Sequence, residues 1–154
     1  MKVITEELLD TVSTQAKENS RLRMNYNLHD SLDNKVHRLL NALEPGTYLP
    51  PHRHKNPDKD ETYVVLRGGL YTFFYDEEGK VTNKVELNPQ KGLYGIEIPA
   101  GTWHNLVVLE PNTVIFEIKE GPYAAISPEN IPSWAPDPSD EKAVNDFMKR
   151  LLEI

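Results

Sequence analysis

Apolar and polar positions follow two different rhythms along this chain. Near the start, Leu8, Leu9, Val12 and Ala16 fall on one stripe at helical spacing. Thr5 is placed to accept a backbone N–H at the helix start, and Glu6 and Glu7 suit the positive end of the helix dipole. The pattern predicts a short amphipathic helix that frays by Asn19 and Ser20. The next stretch, "RLRMNYNLHDSLDN", is polar and has no period, which predicts a loop or arm. From Val36 to Tyr123 the rhythm shortens. "VHRLLNAL", "ETYVVLRG", "LYTFFYD", "VTNKVEL", "YGIEIPAG", "WHNLVVLE" and "TVIFEIKE" are rich in β-branched and aromatic residues. Turn residues divide them: Pro45-Gly46, Gly68-Gly69, "DEEGK", "PAGT" and "EPNT". Seven or eight short strands at regular spacing predict an all-β barrel or sandwich, with a hairpin over Leu70 to Leu87.

After the strands, "GPYAAISPENIPSWAPDPSD" holds five of the 12 prolines, so this tail is expected to run extended, with Trp134 as an apolar anchor. A final amphipathic helix follows. Asp137 is the expected cap, Pro138 suits its first turn, and Val144, Phe147, Met148, Leu151 and Leu152 form its stripe. The expected organisation is a single domain over residues 1–154: helix and arm (1–35), strand region (36–123), then extended tail and helix (124–154).

Charge and composition narrow the function. With 24 acidic and 17 basic residues the net charge is −7, which disfavours nucleic acid as a partner. No apolar run approaches the roughly 20 residues that cross a bilayer, and no membrane partner is expected. The acidic start lacks the apolar core of a signal peptide, so a cytoplasmic location is the default expectation. There is no cysteine, so any metal must be held by nitrogen and oxygen.

That restriction matters because of "PPHRHKNPDKDETYVVLRG". In an extended segment His52 and His54 point the same way, roughly 7 Å apart along the chain, and Arg53 points to the other side. Glu61 follows a turn-rich spacer that can fold back on the pair. His104 opens another apolar strand after the Pro99-Ala100-Gly101 corner. A lone histidine at a strand end is usually an ordinary polar residue, but these fragments occur together, each beside a Pro/Gly corner. Three imidazoles and one carboxylate suit Fe(II), Mn(II), Ni(II), Cu(II) or Zn(II).

Together the fragments resemble the two motifs of the cupin superfamily. The first reads Gly46, five residues, His52, Arg53, His54, a spacer, Glu61, six residues, Gly68; the second reads Pro99, one residue, Gly101, two residues, His104. The spacer before Glu61 is longer than the usual motif has, which leaves Asp58 and Asp60 as alternative carboxylates. More narrowly, "SRLRMNYNLHDSLDNKVHRLLNALEPGTYLPPHRH", "VVLRGGLYTFFYDEEGKV", "EIPAGTWHNLVVLEPNTVIFEIKEGPY" and the "WAP" before the last helix are similar to the WbuC-type cupin-fold metalloproteins. The resemblance implies an all-β cupin (jelly-roll) barrel with a short N-terminal helix and a C-terminal amphipathic helix. It also implies one divalent transition metal ion (Fe, Mn, Ni or Zn) at His52, His54, Glu61 and His104, and a link to bacterial surface-polysaccharide biosynthesis. A homodimer is a further expectation, since cupins commonly pair.

Substrate contacts are expected from Asn25, Tyr26, Asn27 and His29, read as an arm across the barrel mouth. Arg67 shares the parity of Glu61 and Tyr63, so it is expected to face the cavity and hold an anion. Tyr26, His29 and Arg67 are then the candidates for orienting substrate or moving a proton. The leading expectation is a metal-dependent enzyme acting on a sugar or sugar-derived acid. The alternatives are a non-catalytic sugar-binding module and a metal-independent epimerase or isomerase using a His base and a Tyr acid.

Overall fold

The computed structural model of the protein describes residues 1–154. Its elements run α1 (Glu6–Glu18), β1 (Arg23–Asn27), β2 (Val36–Leu43), β3 (Glu61–Arg67), β4 (Leu70–Tyr75), β5 (Val81–Leu87), β6 (Gly95–Ile98), β7 (Trp103–Val108), β8 (Thr113–Glu120) and α2 (Glu141–Glu153). The strands form two antiparallel sheets, a five-stranded one in the order β1-β2-β8-β3-β6 and a three-stranded one in the order β5-β4-β7. The sheets face each other as a sandwich, and the barrel expected from the motifs is not closed. The chain changes sheet at the Gly68-Gly69 junction and at the Pro99–Gly101 corner, so β3/β4 and β6/β7 turn from one sheet to the other without pairing.

Each sheet also carries a helix on its outer face. Leu9, Val12 and Ala16 of α1 pack on Leu40, Ala42 and Val114 of the larger sheet. Phe147 and Leu151 of α2 pack on Phe73, Tyr75, Trp103 and Val107 of the smaller one. Between the sheets lie Leu43, Val65, Leu70, Leu87, Leu106, Val108 and Ile115. Four layers explain why strands such as β7 are buried along their whole length. Covering both faces of a sheet removes the outward polar positions. No helix is long and apolar enough to cross a membrane.

Several local expectations hold and two fail. Thr5 accepts from the Leu8 N–H at 3.2 Å and α1 ends at Asn19. At the other end Asp140, not Asp137, caps α2 by accepting from the Ala143 N–H at 3.0 Å. Asp137 instead binds the Ser139 N–H and hydroxyl in a tight turn. An aspartate satisfies either role locally, and the packing of Phe147 and Leu151 decides which one starts the helix. The segment read as an arm contains β1, a strand that pairs with β2 from Arg23↔Leu43 to Asn27↔Leu39. The tail does wrap the fold, with one short turn at Pro128–Asn130. Trp134 lies against Tyr75 and Trp103, and its indole N–H donates to the Glu77 carbonyl.

Candidate metal centre

Along β3, alternation turns Glu61, Tyr63 and Val65 into the sandwich, and along β7 it turns His104, Leu106 and Val108 inward to meet them. His52 and His54 lie outside the regular strands. Yet His52 exchanges two backbone hydrogen bonds with His104, at 3.0 and 2.9 Å, and the His54 carbonyl accepts from the Gly101 N–H at 2.9 Å. Residues 52–54 therefore run along the edge of β7 as an added antiparallel segment, which brings both imidazoles to the same face as His104. Arg53 points away, stacked over the Trp103 ring at 4.1 Å and paired with Glu77 at 3.1 Å, as its parity requires.

The result is a cluster in which ligand atoms of His52, His54, Glu61 and His104 all lie within 4.8 Å of one another. Donors each about 2 Å from a shared ion are at most about 4 Å apart, so a modest contraction of the cluster would seat one. The expected alternatives to Glu61 are elsewhere: Asp60 accepts from the Ala100 N–H at 2.9 Å, and Asp58 is exposed. Glu61 itself is 2% exposed.

Hydrogen bonding prepares the cluster for a cation. The Nδ1–H of His52 donates to the Pro50 carbonyl and that of His104 to the Thr102 carbonyl, both at 2.9 Å. A carbonyl only accepts, so each ring carries its proton on Nδ1 and turns an Nε2 lone pair inward. The Nε2 of His104 then stands 3.2 Å from Glu61 Oε2, and the buried Nε2 of His54 is 3.5 Å from the same oxygen with no hydrogen-bond partner. Lone pairs facing a carboxylate repel unless a positive centre lies among them. The donor set thus fits a divalent ion.

Charges around the cluster agree. Burial, together with His104, pushes His52 down to about 3, keeping it in the neutral form a metal requires. Burial opposes ionisation of Glu61. The adjacent His104 and His54 rings and the charge of Lys119 outweigh it, so the carboxyl is held well below its usual range. Lys119 Nζ donates to Glu61 Oε1 at 2.9 Å and to Glu117 Oε1 at 3.3 Å, and the Tyr63 hydroxyl donates to Glu61 Oε2 at 2.8 Å. Burial and the nearby Glu61 push Glu117 up to about 8.

The cluster opens into a cavity of about 250 Å³ lined also by Arg23, Asn25, Asn41, Tyr63, Glu117 and Lys119, with Leu49, Pro50, Ile126 and Ile131 as its apolar wall. Sequence reading missed Arg23, Asn41, Glu117 and Lys119. A signal existed: Glu117 and Lys119 share the parity of core residue Ile115, but charged residues in a strand ordinarily read as solvent-facing.

Of the expected substrate contacts, the structure brings only Asn25 to the cavity. Because β1 is a strand, its alternate residues Met24 and Tyr26 pack towards α1. Asn27 is exposed and does not line the cavity. Arg67 lies on the opposite side of the sheet. A bulge between Val65 and Arg67 breaks the alternation, and its guanidinium binds Asp10 at 2.6 Å and Ser13 at 2.9 Å on α1.

His29 is buried beside the start of β2, stacked on His37 at 4.1 Å, with its Nδ1 within bonding distance of the Arg38 main chain. Burial lowers the pKa of His37, against the opposing effect of its bond to the Leu32 carbonyl. A histidine lowered in the folded state contributes stability above its unfolded value of about 6.5, and this is lost as pH falls through the folded value. Stability is therefore expected to decline below about pH 6.5, and His37→Gln to remove part of the decline. Urea denaturation at pH 7 and pH 5 checks this; identical pH dependence in both proteins would refute it.

Comparison with known proteins places the fold. Solved structures that share it include the TT1209 protein from Thermus thermophilus, KdgF from a Halomonas species and a cupin superfamily protein from Desulfitobacterium hafniense. The first is 19% identical, with 78% of this chain and 97% of that one aligned at a TM-score of 0.55. KdgF is 19% identical over 66% and 82% of the two chains at 0.52. The cupin superfamily protein is 18% identical over 64% and 76% at 0.50. No curated protein sequence matches the chain. The family model described as "Domain of unknown function (DUF6016)" matches residues 4–87, more than half of the chain and enough to include His52, His54 and Glu61. With the two-sheet sandwich and its buried His/His/Glu/His cluster already in place, these matches make the chain a cupin-fold protein that belongs to the DUF6016 family.

Proposed function

We propose that the protein is a metal-binding cupin, of the WbuC type, whose centre serves a metal-dependent reaction on a sugar or sugar-derived acid linked to surface-polysaccharide biosynthesis. One observation carries the reading: three imidazoles and a buried carboxylate converge, with lone pairs turned inward, at the wall of a cavity sized for a small molecule. A divalent ion held by His52, His54, Glu61 and His104 would supply Lewis acidity or a centre for O₂ chemistry.

The chain's own groups define what surrounds that chemistry. Tyr63 and Lys119 hold the Glu61 carboxylate in place, and the two backbone carbonyls fix the tautomers of His52 and His104. Leu49, Pro50, Ile126 and Ile131 narrow the cavity on one side and exclude water there. Lys119 is raised by Glu61 and Glu117 against the effect of burial and keeps its proton beside the cluster.

The test is metal content of untagged protein, wild type beside His52→Ala and His104→Ala. About one ion per chain is expected in wild type, and loss of it in both variants. No ion in wild type after anaerobic reconstitution with Fe(II), Mn(II) and Zn(II) would overturn the reading in favour of His/Tyr acid–base chemistry. A bound ion with saturable sugar binding but no turnover would favour a non-catalytic binding module.

A further inference from the structure

The wall of the cavity facing the histidines has a chemistry of its own. Asn41 is 6% exposed, yet its Oδ1 is buried without a hydrogen-bond partner while its Nδ2 donates to Glu117 Oε2 at 3.4 Å. A buried amide oxygen left without a donor carries the full cost of its lost hydration. Its cross-strand partner is Asn25, in register on the same face, and both line the cavity. Two residues along β1 from Asn25, Arg23 lines it as well. The Nη1 of Arg23 is fixed by the Tyr48 carbonyl at 2.8 Å and the Thr47 hydroxyl at 3.3 Å, while Nε and Nη2 have no partner in the protein. A guanidinium anchored by one nitrogen with its other donors free is arranged to receive a carboxylate.

We propose that Arg23, Asn25 and Asn41 form a subsite for a hydroxylated carboxylic acid of monosaccharide size or smaller. Its carboxylate lies on Arg23, and one of its hydroxyls donates to Asn41 Oδ1. This assignment rests on the metal-centre reading for its counterpart across the cavity, and it narrows the substrate from a sugar or sugar acid to the acid. Four features select that class. The orphaned acceptor calls for an O–H donor, the free guanidinium edge for an anion, and the apolar wall of Leu49, Ile126 and Ile131 for a C–H face. The fourth is volume: about 250 Å³ lies below the roughly 300–1,000 Å³ of sites for drug-sized ligands. Local charge points the same way within an acidic chain. Lys119 is balanced by its carboxylate partners, whereas Arg23 has none.

The experiment is calorimetric titration of Zn(II)-loaded wild type with D-glucuronate, D-glucose and glucose 6-phosphate, repeated on Arg23→Gln, Arg23→Lys and Asn41→Ala with metal content measured on each. Wild type is expected to bind glucuronate at least tenfold tighter than either other sugar. Arg23→Gln and Asn41→Ala are expected to weaken glucuronate at least tenfold while retaining the ion, and Arg23→Lys to recover part of the loss. Arg23→Lys serves as the folded control should Arg23→Gln prove unstable. No glucuronate binding by ion-loaded wild type, a preference for glucose or the phosphate, or unchanged affinity in both Arg23 variants would overturn the subsite and leave the metal centre standing. Failure of wild type to take up an ion would instead overturn the reading beneath it.

Discussion

Glu61→Ala is expected to lose the bound ion and also to weaken the metal-free fold by about 3 kcal/mol, the lower end of what removing one partner of a buried ion pair costs. The second effect follows from what Glu61 holds besides the cluster. Its Oε1 takes the Lys119 ammonium at 2.9 Å and its Oε2 takes the Tyr63 hydroxyl at 2.8 Å, in a carboxylate that is 2% exposed. Without it, the Tyr63 hydroxyl is stranded in the core, and Lys119 keeps only Glu117, at 3.3 Å. His52→Ala is the contrast. His52 gives up one backbone carbonyl contact and leaves no buried charge unpaired, so in chelator it is expected to cost about 1 kcal/mol or less. Guanidinium denaturation of both variants in excess EDTA separates the roles. Equal stability of the two would mean that Glu61 serves the cluster alone.

Gly68→Ala is the second large effect, expected to destabilise by about 3 kcal/mol or more through strain and overpacking together. Gly68 has φ +78°, in the left-handed region where a β-carbon is penalised. A methyl there would also lie 2.7 Å from the Thr113 Cα and collide with the Thr113 hydroxyl, which bonds the Gly69 N–H and fastens the sheet-to-sheet turn. Backbone cannot yield as a flexible side chain can. Gly92→Ala is the control, because its φ is also positive, at +76°, but nothing lies within 4 Å of the added methyl. Thermal unfolding of the pair isolates the steric part; equal shifts in Tm would show that strain alone accounts for the loss. The six residues between Glu61 and Gly68 therefore span one strand, from the candidate metal cluster in the interior to the turn where the chain leaves the sheet.

What could be read from the sequence was what neighbouring residues decide among themselves. Thr5 and the Leu9, Val12, Ala16 stripe specify α1 because cap and stripe lie within a few turns of one helix. Seven strands from Val36 to Glu120 were legible because β-branched runs end at Pro, Gly and Asn, whose backbone preferences are local. Of the cluster, His52 and His54 were legible because they share a parity, while Glu61 and His104 were joined to them by the resemblance to the cupin motifs.

Contacts between distant segments determined the rest. β1 looked like a polar loop because the β2 edge that pairs with it makes up for its weak strand pattern. Arg67 left the cavity because one bulge undid the parity that Glu61 established. Glu117 and Lys119 became part of the site because a second sheet and the tail cover a face that alternation alone would have given to water. Closure into a barrel or an open sandwich depends on which strands meet, and pairing between strands far apart in the chain has no local signature. The sequence by itself determined the strands, the helix stripes and the ligand types. Only the tertiary structure decided which side chains surround the cluster, because facing an interior is a property of two surfaces meeting, and a single strand encodes only one of them.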